Sequence, residues 1–337
     1  MVSGARVTMG RRSGTAWLPA LSGGAVLAAL IAASPAAAVP PAPCNTAAGA
    51  CWAPPSNARW QYQLEARGAR YAATGGVNVD ICAKPFTKGA CVSPDVYDID
   101  LYVDQNLTGE GNFVVNTAAV DAIHARGRHA ICYVSAGDVE TFRPDYAQFV
   151  SFDQSCGHCL IGKPFSPVFP NEFWANINND QGQRDFMLQM VEARVAKCAA
   201  AGFDGVEFDV VDAYAQGTPT TGWNISAATQ LDYDQRLANL AHQYGMTVAL
   251  KNDLGQLAAL MPYFDYAINE QCFEFEECDN NPPPGYPAWV AAGKAVFTVE
   301  YKRSPGKFCA AANAAGYNSI KKAGNFSLYD KPWKPCR

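Results

Sequence analysis

Acidic side chains in this sequence gather at one recurring place, the end of a short apolar run. Asp98 and Asp100 fall at the close of Val96–Tyr102, and Tyr133, Ser135 and Asp138 follow His129–Val134. Glu207, Asp209 and Asp212 end a third run. Lys251, Asn252 and Asp253, then Asn269, Glu270 and Gln271, then Glu300 and Tyr301 close three more. A solvated rim explains any one of these clusters but not the set, because the runs themselves are apolar and the polar groups recur at the same end. Carboxyl pairs that share a cleft perform acid–base and nucleophilic chemistry. The sequence has four His and no H-x-H or H-E-x-x-H, so it carries no metal-ligand signature and no cofactor is expected. Paired carboxylates without a metal point to glycosidic bond cleavage. One carboxyl protonates the leaving oxygen while the other attacks the anomeric carbon or activates water.

The elements that must position these groups repeat as helix, glycine, strand and polar cluster. In the clearest copy Met187, Val191, Val195 and Cys198 recur at helical spacing, Gly202 ends the helix, and Asp204–Asp209 is the strand. A second copy runs through Tyr233, Leu237, Leu240, Ala241 and Tyr244 to Gly245 and Thr247–Asp253. A third runs from Val115 to Gly127 and His129–Val134. Alternation of this kind means βαβ units and a parallel sheet. The strand candidates are Trp60–Leu64, Val96–Tyr102, His129–Val134, Asp204–Asp209, Thr247–Lys251, Phe264–Asn269, Lys294–Glu300 and Asn318–Leu328. Eight is the number that closes a (β/α)8 barrel, whose active sites lie at the C-terminal ends of the strands. The competing open nucleotide-binding sheet lacks its G-x-G-x-x-G after any early strand. The expectation is therefore a single α/β (β/α)8 barrel, with an elaborated loop after strand three over Asp138–Asn179.

Side-chain alternation selects among the acids. Val206, Phe208 and Val210 share a face directed at the helices, so Glu207 and Asp209 point at the barrel axis. By the same reasoning Lys251 points inward opposite Val248 and Leu250, and Glu300 inward opposite Phe297 and Val299. Unpaired charges are too costly to bury as packing, so the choice lies between a structural ion pair on Lys251 and a functional site. Trp52, Trp60, Tyr133, Phe169, Trp174, Tyr214, Trp223 and Tyr301 are candidate sugar-stacking surfaces.

The first 38 residues read as an export signal: Arg6, Arg11 and Arg12, an apolar stretch from Trp17 to Ala33, and an A-x-A site at Ala36–Ala38. Glycines, Ser34 and Pro35 interrupt that stretch, which argues against a membrane anchor. Residues 39–56 form a Pro-rich extension and 57–337 the main domain. Without the signal, 23 basic side chains face 31 acidic ones, a charge of −8. This excludes nucleic acid as a partner and suits a neutral or cationic substrate. Twelve cysteines in an exported chain imply disulfides. The local pairs are Cys44/Cys51, Cys82/Cys91, Cys156/Cys159, Cys272/Cys278 and Cys309/Cys336, while Cys132 and Cys198 are buried thiols or each other's partner. Asn106, Asn224 and Asn325 begin Asn-x-Ser/Thr sites. A secreted monomer is expected.

Several blocks carry a family resemblance. They are Trp60-Gln-Tyr-Gln-Leu64, Val96-Tyr-Asp-Ile-Asp-Leu101, Ile131-Cys-Tyr-Val-Ser-Ala-Gly137, Gly202-Phe-Asp-Gly-Val-Glu-Phe-Asp209, Leu250-Lys-Asn-Asp253, Asn269-Glu-Gln-Cys-Phe273 and Val299-Glu-Tyr301. In this order they resemble glycoside hydrolase family 114, the endo-α-1,4-polygalactosaminidases. The resemblance implies a barrel, a polysaccharide substrate made of amino sugars, and an acidic pair from strands four and six. Here these are Asp209, as nucleophile, and Glu270, as general acid/base of a retaining mechanism. Glu207 is the rival to Asp209. Alternation alone favours Glu300 over Glu270, which falls in register with Tyr266 and Ile268. Substrate contacts are expected from Asp98, Asp100, Tyr133, Glu207, Asp212, Lys251, Asn252, Glu300, Tyr301 and Trp174, with free amino groups meeting the acids. The chain departs from the family at Phe208-Asp209-Val210-Val211-Asp212, where Pro-Asp-Asn-Val-Asp is usual. The second reading is a secreted carbohydrate-binding or exopolysaccharide accessory protein that kept the barrel and lost turnover.

Overall fold

The computed structural model describes residues 39–66, 68–104, 111–278 and 283–337. The expected export signal and the Asn106 site lie outside these residues; Asn224 and Asn325 are exposed. Eight strands follow one another in chain order as parallel neighbours of one sheet: β1 (Trp60–Gln63), β2 (Val96–Asp100), β3 (His129–Ser135), β4 (Gly205–Asp209), β5 (Thr247–Lys251), β6 (Tyr266–Glu270), β7 (Val296–Glu300) and β8 (Asn318–Lys321). A ninth, β9 (Lys334–Pro335), runs antiparallel to β8. All eight expected strands are present, though the last is shorter than expected. The architecture is a mixed α/β fold whose sheet curls. The Trp60 indole N–H donates to the Asn318 carbonyl (2.7 Å), and the Asn318 amide donates to Ser56 (3.0 Å). No ladder joins β1 to β8 among the described residues.

Helices cross between the strands: α1 (Thr117–His124), α2 (Gln183–Ala200), α3 (Ala227–Gln243), α4 (Leu257–Leu260), α5 (Gly285–Ala291) and α6 (Cys309–Ala315). The apolar stripe of α2 is the one its periodicity announces, with Met187, Val191, Val195 and Cys198 buried. Cys198 is joined to Cys132 on β3, so the helix is tied to the strand beneath it. The Ser226 hydroxyl caps α3 by accepting the Thr229 N–H (3.0 Å), and the turn beyond the helix passes through Gly245 at φ 72°. All five local cysteine pairs are bonded as well.

The Asp138–Asn179 segment has its own architecture rather than being an irregular loop. It holds a helix, Tyr146–Ser155, and three antiparallel strands, Asp138–Glu140, Ile161–Pro164 and Glu172–Ala175. Two buried arginines pin it. Arg143 makes paired bonds to Asp100 (2.6 and 2.8 Å) and to Glu140 (both 2.7 Å). Arg194 of α2 grips Asp145 (2.8 and 2.9 Å).

The Pro-rich extension is docked. Ala42 N–H donates to Asn239 Oδ1 (2.7 Å), the Asn239 amide donates to Pro40 O (2.8 Å), and His242 Nδ1 lies 2.6 Å from Ala42 O. Tyr263 donates to Val39 O. Trp52 then stacks on His129 at the start of β3, with ring centroids 3.7 Å apart. All these contacts lie at the N-terminal ends of the strands.

Candidate active site

Both faces of a covered parallel strand are buried, so alternation alone does not say which face is inner. Aromatic rings fix the answer here. Trp60, Phe297 and Tyr266 pack together, with centroids at 5.1 and 6.0 Å. The Tyr266 hydroxyl lies over Gly205, where an added Cβ would approach it to 2.6 Å. Gly205 shares its face with Glu207 and Asp209, so Tyr266, Ile268 and Glu270 point into the same interior. Phe297, Val299 and Tyr301 point there too, and Glu300 faces the opposite way. This corrects the expected inward direction of Glu300. It is buried, accepts the Phe273 N–H at 2.8 Å, and steadies the Cys272–Cys278 turn. Burial pushes its carboxyl up to about 7.

At the centre lies the Lys251 ammonium, 1 % exposed. It is 3.0 Å from Asp209 Oδ1, 3.1 Å from Glu207 Oε1, 3.8 Å from Glu270 Oε2, and donates to the Tyr62 hydroxyl at 3.1 Å. Burial opposes the charge, yet Asp209 and Glu207 together hold the ammonium well above its usual range. Asp209 also accepts the Tyr133 hydroxyl (2.8 Å) and the Val210 N–H (2.9 Å). Burial would raise the Asp209 carboxyl; Lys251 and the Tyr133 bond outweigh it and keep the group below the ordinary range. Glu270 Oε1 accepts the Tyr301 hydroxyl, and the Glu270 backbone N–H is held by Asn252 Oδ1 at 3.0 Å. Of the carboxylates paired with Lys251, Asp209 and Glu270 reach solvent, with side chains 22 % and 30 % exposed, while Glu207 is 0 % exposed.

Three strands end in the same manner. Val210, Asn252 and Gln271, the residues just after β4, β5 and β6, all have positive φ (62°, 50° and 64°). The chain thus turns sharply away as soon as the functional side chain is in place. Gly137 makes room for this on β3's side, since a Cβ there would lie 1.7 Å from Val210 O.

The remaining expected contacts divide. Tyr133, Lys251, Asn252 and Tyr301 belong to the cluster, and Asp212 stands at its edge, bonded to Gln216 (3.1 Å) and raised by burial to about 6. Asp100 is taken by Arg143, and Asp98 and Glu207 are sealed beneath the rim, so these acids do not offer free oxygens to a ligand. Trp174 is corrected as a sugar platform: it is 3 % exposed and packs on Phe165 at 4.7 Å. Trp60 is likewise interior, and Trp52 lies at the far end of the strands. Two groups escaped sequence reasoning. Tyr62 bridges Lys251 and Glu207, and its alternation with Trp60 was the available signal. Glu172 lies across from Glu140 in the antiparallel sheet; burial and then Asp138, Glu140 and Asp209 raise it to about 9. Among the described residues, no set of three or more His, Cys, Asp or Glu is placed to hold a metal.

A curled parallel sheet that delivers carboxylates to one rim is a frame on which glycosidic bonds can be cleaved, and its family makes the chain a glycosidase. It belongs to glycoside hydrolase family GH114, whose profile matches residues 41–334. Among solved structures it is similar to Aspergillus fumigatus Ega3 in complex with galactosamine. The TM-score is 0.61 at 25 % identity, over 82 % of this chain and 96 % of that one. The glycoside hydrolase domain of Pseudomonas aeruginosa PelA shares the fold, with TM-score 0.50 and 12 % identity over 83 % of this chain and 98 % of that one. An uncharacterized Deinococcus radiodurans protein is 26 % identical over 57 % of this chain, and the match spans 62 % of that relative's length.

Proposed function

We propose that this glycosidase is an exported, endo-acting hydrolase of α-1,4-linked galactosamine-containing polysaccharide, working as a monomer on a complete (β/α)8 barrel with Asp209 and Glu270 as its catalytic pair. The observation that carries the pairing is Lys251. It contacts both carboxylates from below, and both retain access to solvent. Because one ammonium touches both, their nearer oxygens are no more than about 7 Å apart, which favours the retaining spacing over most of the inverting range. The amino-sugar assignment draws on the galactosamine bound by Ega3. Export accords with six disulfides, and no described helix is long and apolar enough to cross a membrane.

Asp209, held ionised by Lys251 and Tyr133, attacks the anomeric carbon as Glu270 passes its proton to the glycosidic oxygen. The bond to the leaving chain breaks and a glycosyl ester forms on Asp209. Glu270, now a carboxylate steadied by Tyr301, takes a proton from the water that hydrolyses this ester, and both groups return to their starting states. Asp212, at the edge of the cluster, is the acid left to meet substrate amino groups.

The test is reducing-end release from a partially deacetylated α-1,4-galactosamine polymer by wild type, Asp209→Asn and Glu270→Gln. Each variant should lose about 10³-fold or more in kcat. NMR of the first product should show the α-anomer. Undiminished cleavage by either variant removes its residue from the pair, and a β-anomer replaces retention with inversion. Binding of the polymer without cleavage by wild type would instead support the accessory-protein reading.

A further inference from the structure

Beneath the catalytic pair lie two carboxyls whose hydrogen bonding does not close unless one of them carries a proton. Asp98 on β2 is fully buried, and neither of its oxygens meets an N–H or O–H donor among the described residues. Glu207 on β4 is also fully buried. Its Oε1 receives Lys251 and Tyr62, while its Oε2 has no donor. The two side chains are hydrogen-bonding neighbours. Ionised carboxylates only accept, so two of them in contact within an apolar interior form no bond and repel. A single shared proton turns the contact into an O–H···O⁻ bond.

The surroundings say which partner holds that proton. Asp98 is faced by Tyr62 of β1, Glu207 and Asp209 of β4, Lys251 of β5 and Tyr266 of β6. The one cation of this group spends its contacts on Glu207 and Asp209, not on Asp98. Glu207, with an ammonium and a phenol on one oxygen, is the better place for the negative charge.

We propose, on the basis of the hydrolase reading above, that Asp98 works as a carboxylic acid donating to Glu207, and that the pair positions the Lys251 ammonium between Asp209 and Glu270. Neither residue touches the reacting atoms. Asp98 fixes the Glu207 carboxylate, Glu207 fixes the ammonium, and the ammonium keeps Asp209 ionised. A donor, not a charge, is what position 98 requires.

The experiment compares wild type, Asp98→Asn and Asp98→Ala by kcat, KM and the pH profile of kcat/KM on the galactosamine polymer. Asparagine keeps an N–H for Glu207, so Asp98→Asn should hold kcat within about threefold and leave the acidic limb in place. Asp98→Ala should lower kcat by about 10–100-fold with KM little changed and shift the acidic limb, because a small displacement at the reacting groups is that costly. Equal damage by both variants, or a shifted limb in Asp98→Asn, overturns the proposal. A readout independent of turnover is the infrared difference spectrum of wild type against Asp98→Ala near neutral pH. It should contain a protonated-carboxyl C=O band, and absence of the band also overturns the proposal. If wild type cleaves no amino-sugar polymer, the hydrolase reading fails while this spectrum still decides the protonation state.

Discussion

In the proposed mechanism Asp209 is the nucleophile, and it is kept ionised by its neighbours rather than by exposure, Lys251 being the chief of them. Replacing Lys251 with Met removes the charge that opposes protonation, so the Asp209 pKa must rise. The acidic limb of kcat/KM should therefore move to higher pH, with kcat/KM falling about 10²-fold or more at the optimum. A pH–rate series settles this, and an unmoved limb would show that another group holds Asp209 ionised. Val210 offers an independent test. It is β-branched and sits at φ 62°, a region that such residues avoid and asparagine tolerates. The family usually has Asn there. Val210→Asn should add about 1 kcal/mol of stability, read as a higher unfolding midpoint, and a lower midpoint would mean that the Val210 side chain contributes more than its backbone strain costs.

Elements were legible where periodicity was unambiguous. The stripes of α2 and α3 and the apolar cores of eight strands all stand where the sequence placed them. The face of each strand was harder to read. On β4 and β5 the charges themselves mark the inner side, and Glu207, Asp209 and Lys251 were oriented correctly. On β6 and β7 the inner side is marked by Tyr266 and Phe297, which look like helix-facing packing residues until Trp60 is seen against them. Glu300 was misdirected for that reason. Glu270, the proposed second acid, is singled out by the family motif alone, because alternation without an anchor gives a pattern but not its sign. The Asp138–Asn179 segment was opaque for another reason. Its order depends on Arg143 and Arg194 reaching acids far along the chain, and no local signal encodes such contacts. One close approach between elements is testable directly. Gly137→Ala would drive a methyl group into Val210 O, so the chain after Asp209 must shift. A loss of about 1–3 kcal/mol in stability and at least about tenfold in kcat is expected. Wild-type values for both would mean the turn after β4 yields freely.

At the scale of the molecule, buried acids give stability a particular pH dependence. Asp212 is raised to about 6, Asp253 and Glu300 to about 7, and Glu172 to about 9. Burial is the main cause in each. Unfolded carboxyls titrate near 4, so the folded state binds these protons more tightly. Their contribution is complete below the unfolded value and disappears as pH rises through the folded ones. Asp209, Asp145 and Asp153 are lowered and act in the opposite sense, losing their contribution only at more acid pH. Between about pH 5 and 8 the raised group governs, so the unfolding midpoint should fall steadily across that window. Calorimetry that found a midpoint rising from pH 5 to 8 would contradict this assignment of buried protons.

The docked extension bears on how the enzyme can be handled. Val39 is held by Tyr263 and the following residues by Asn239 and His242, at the strand ends opposite Asp209 and Glu270. A tether joined at Val39 therefore leaves from the back of the molecule. Coupled to a bead through that position, the protein would present its strand-end carboxylates away from the support, with the linker on the opposite side.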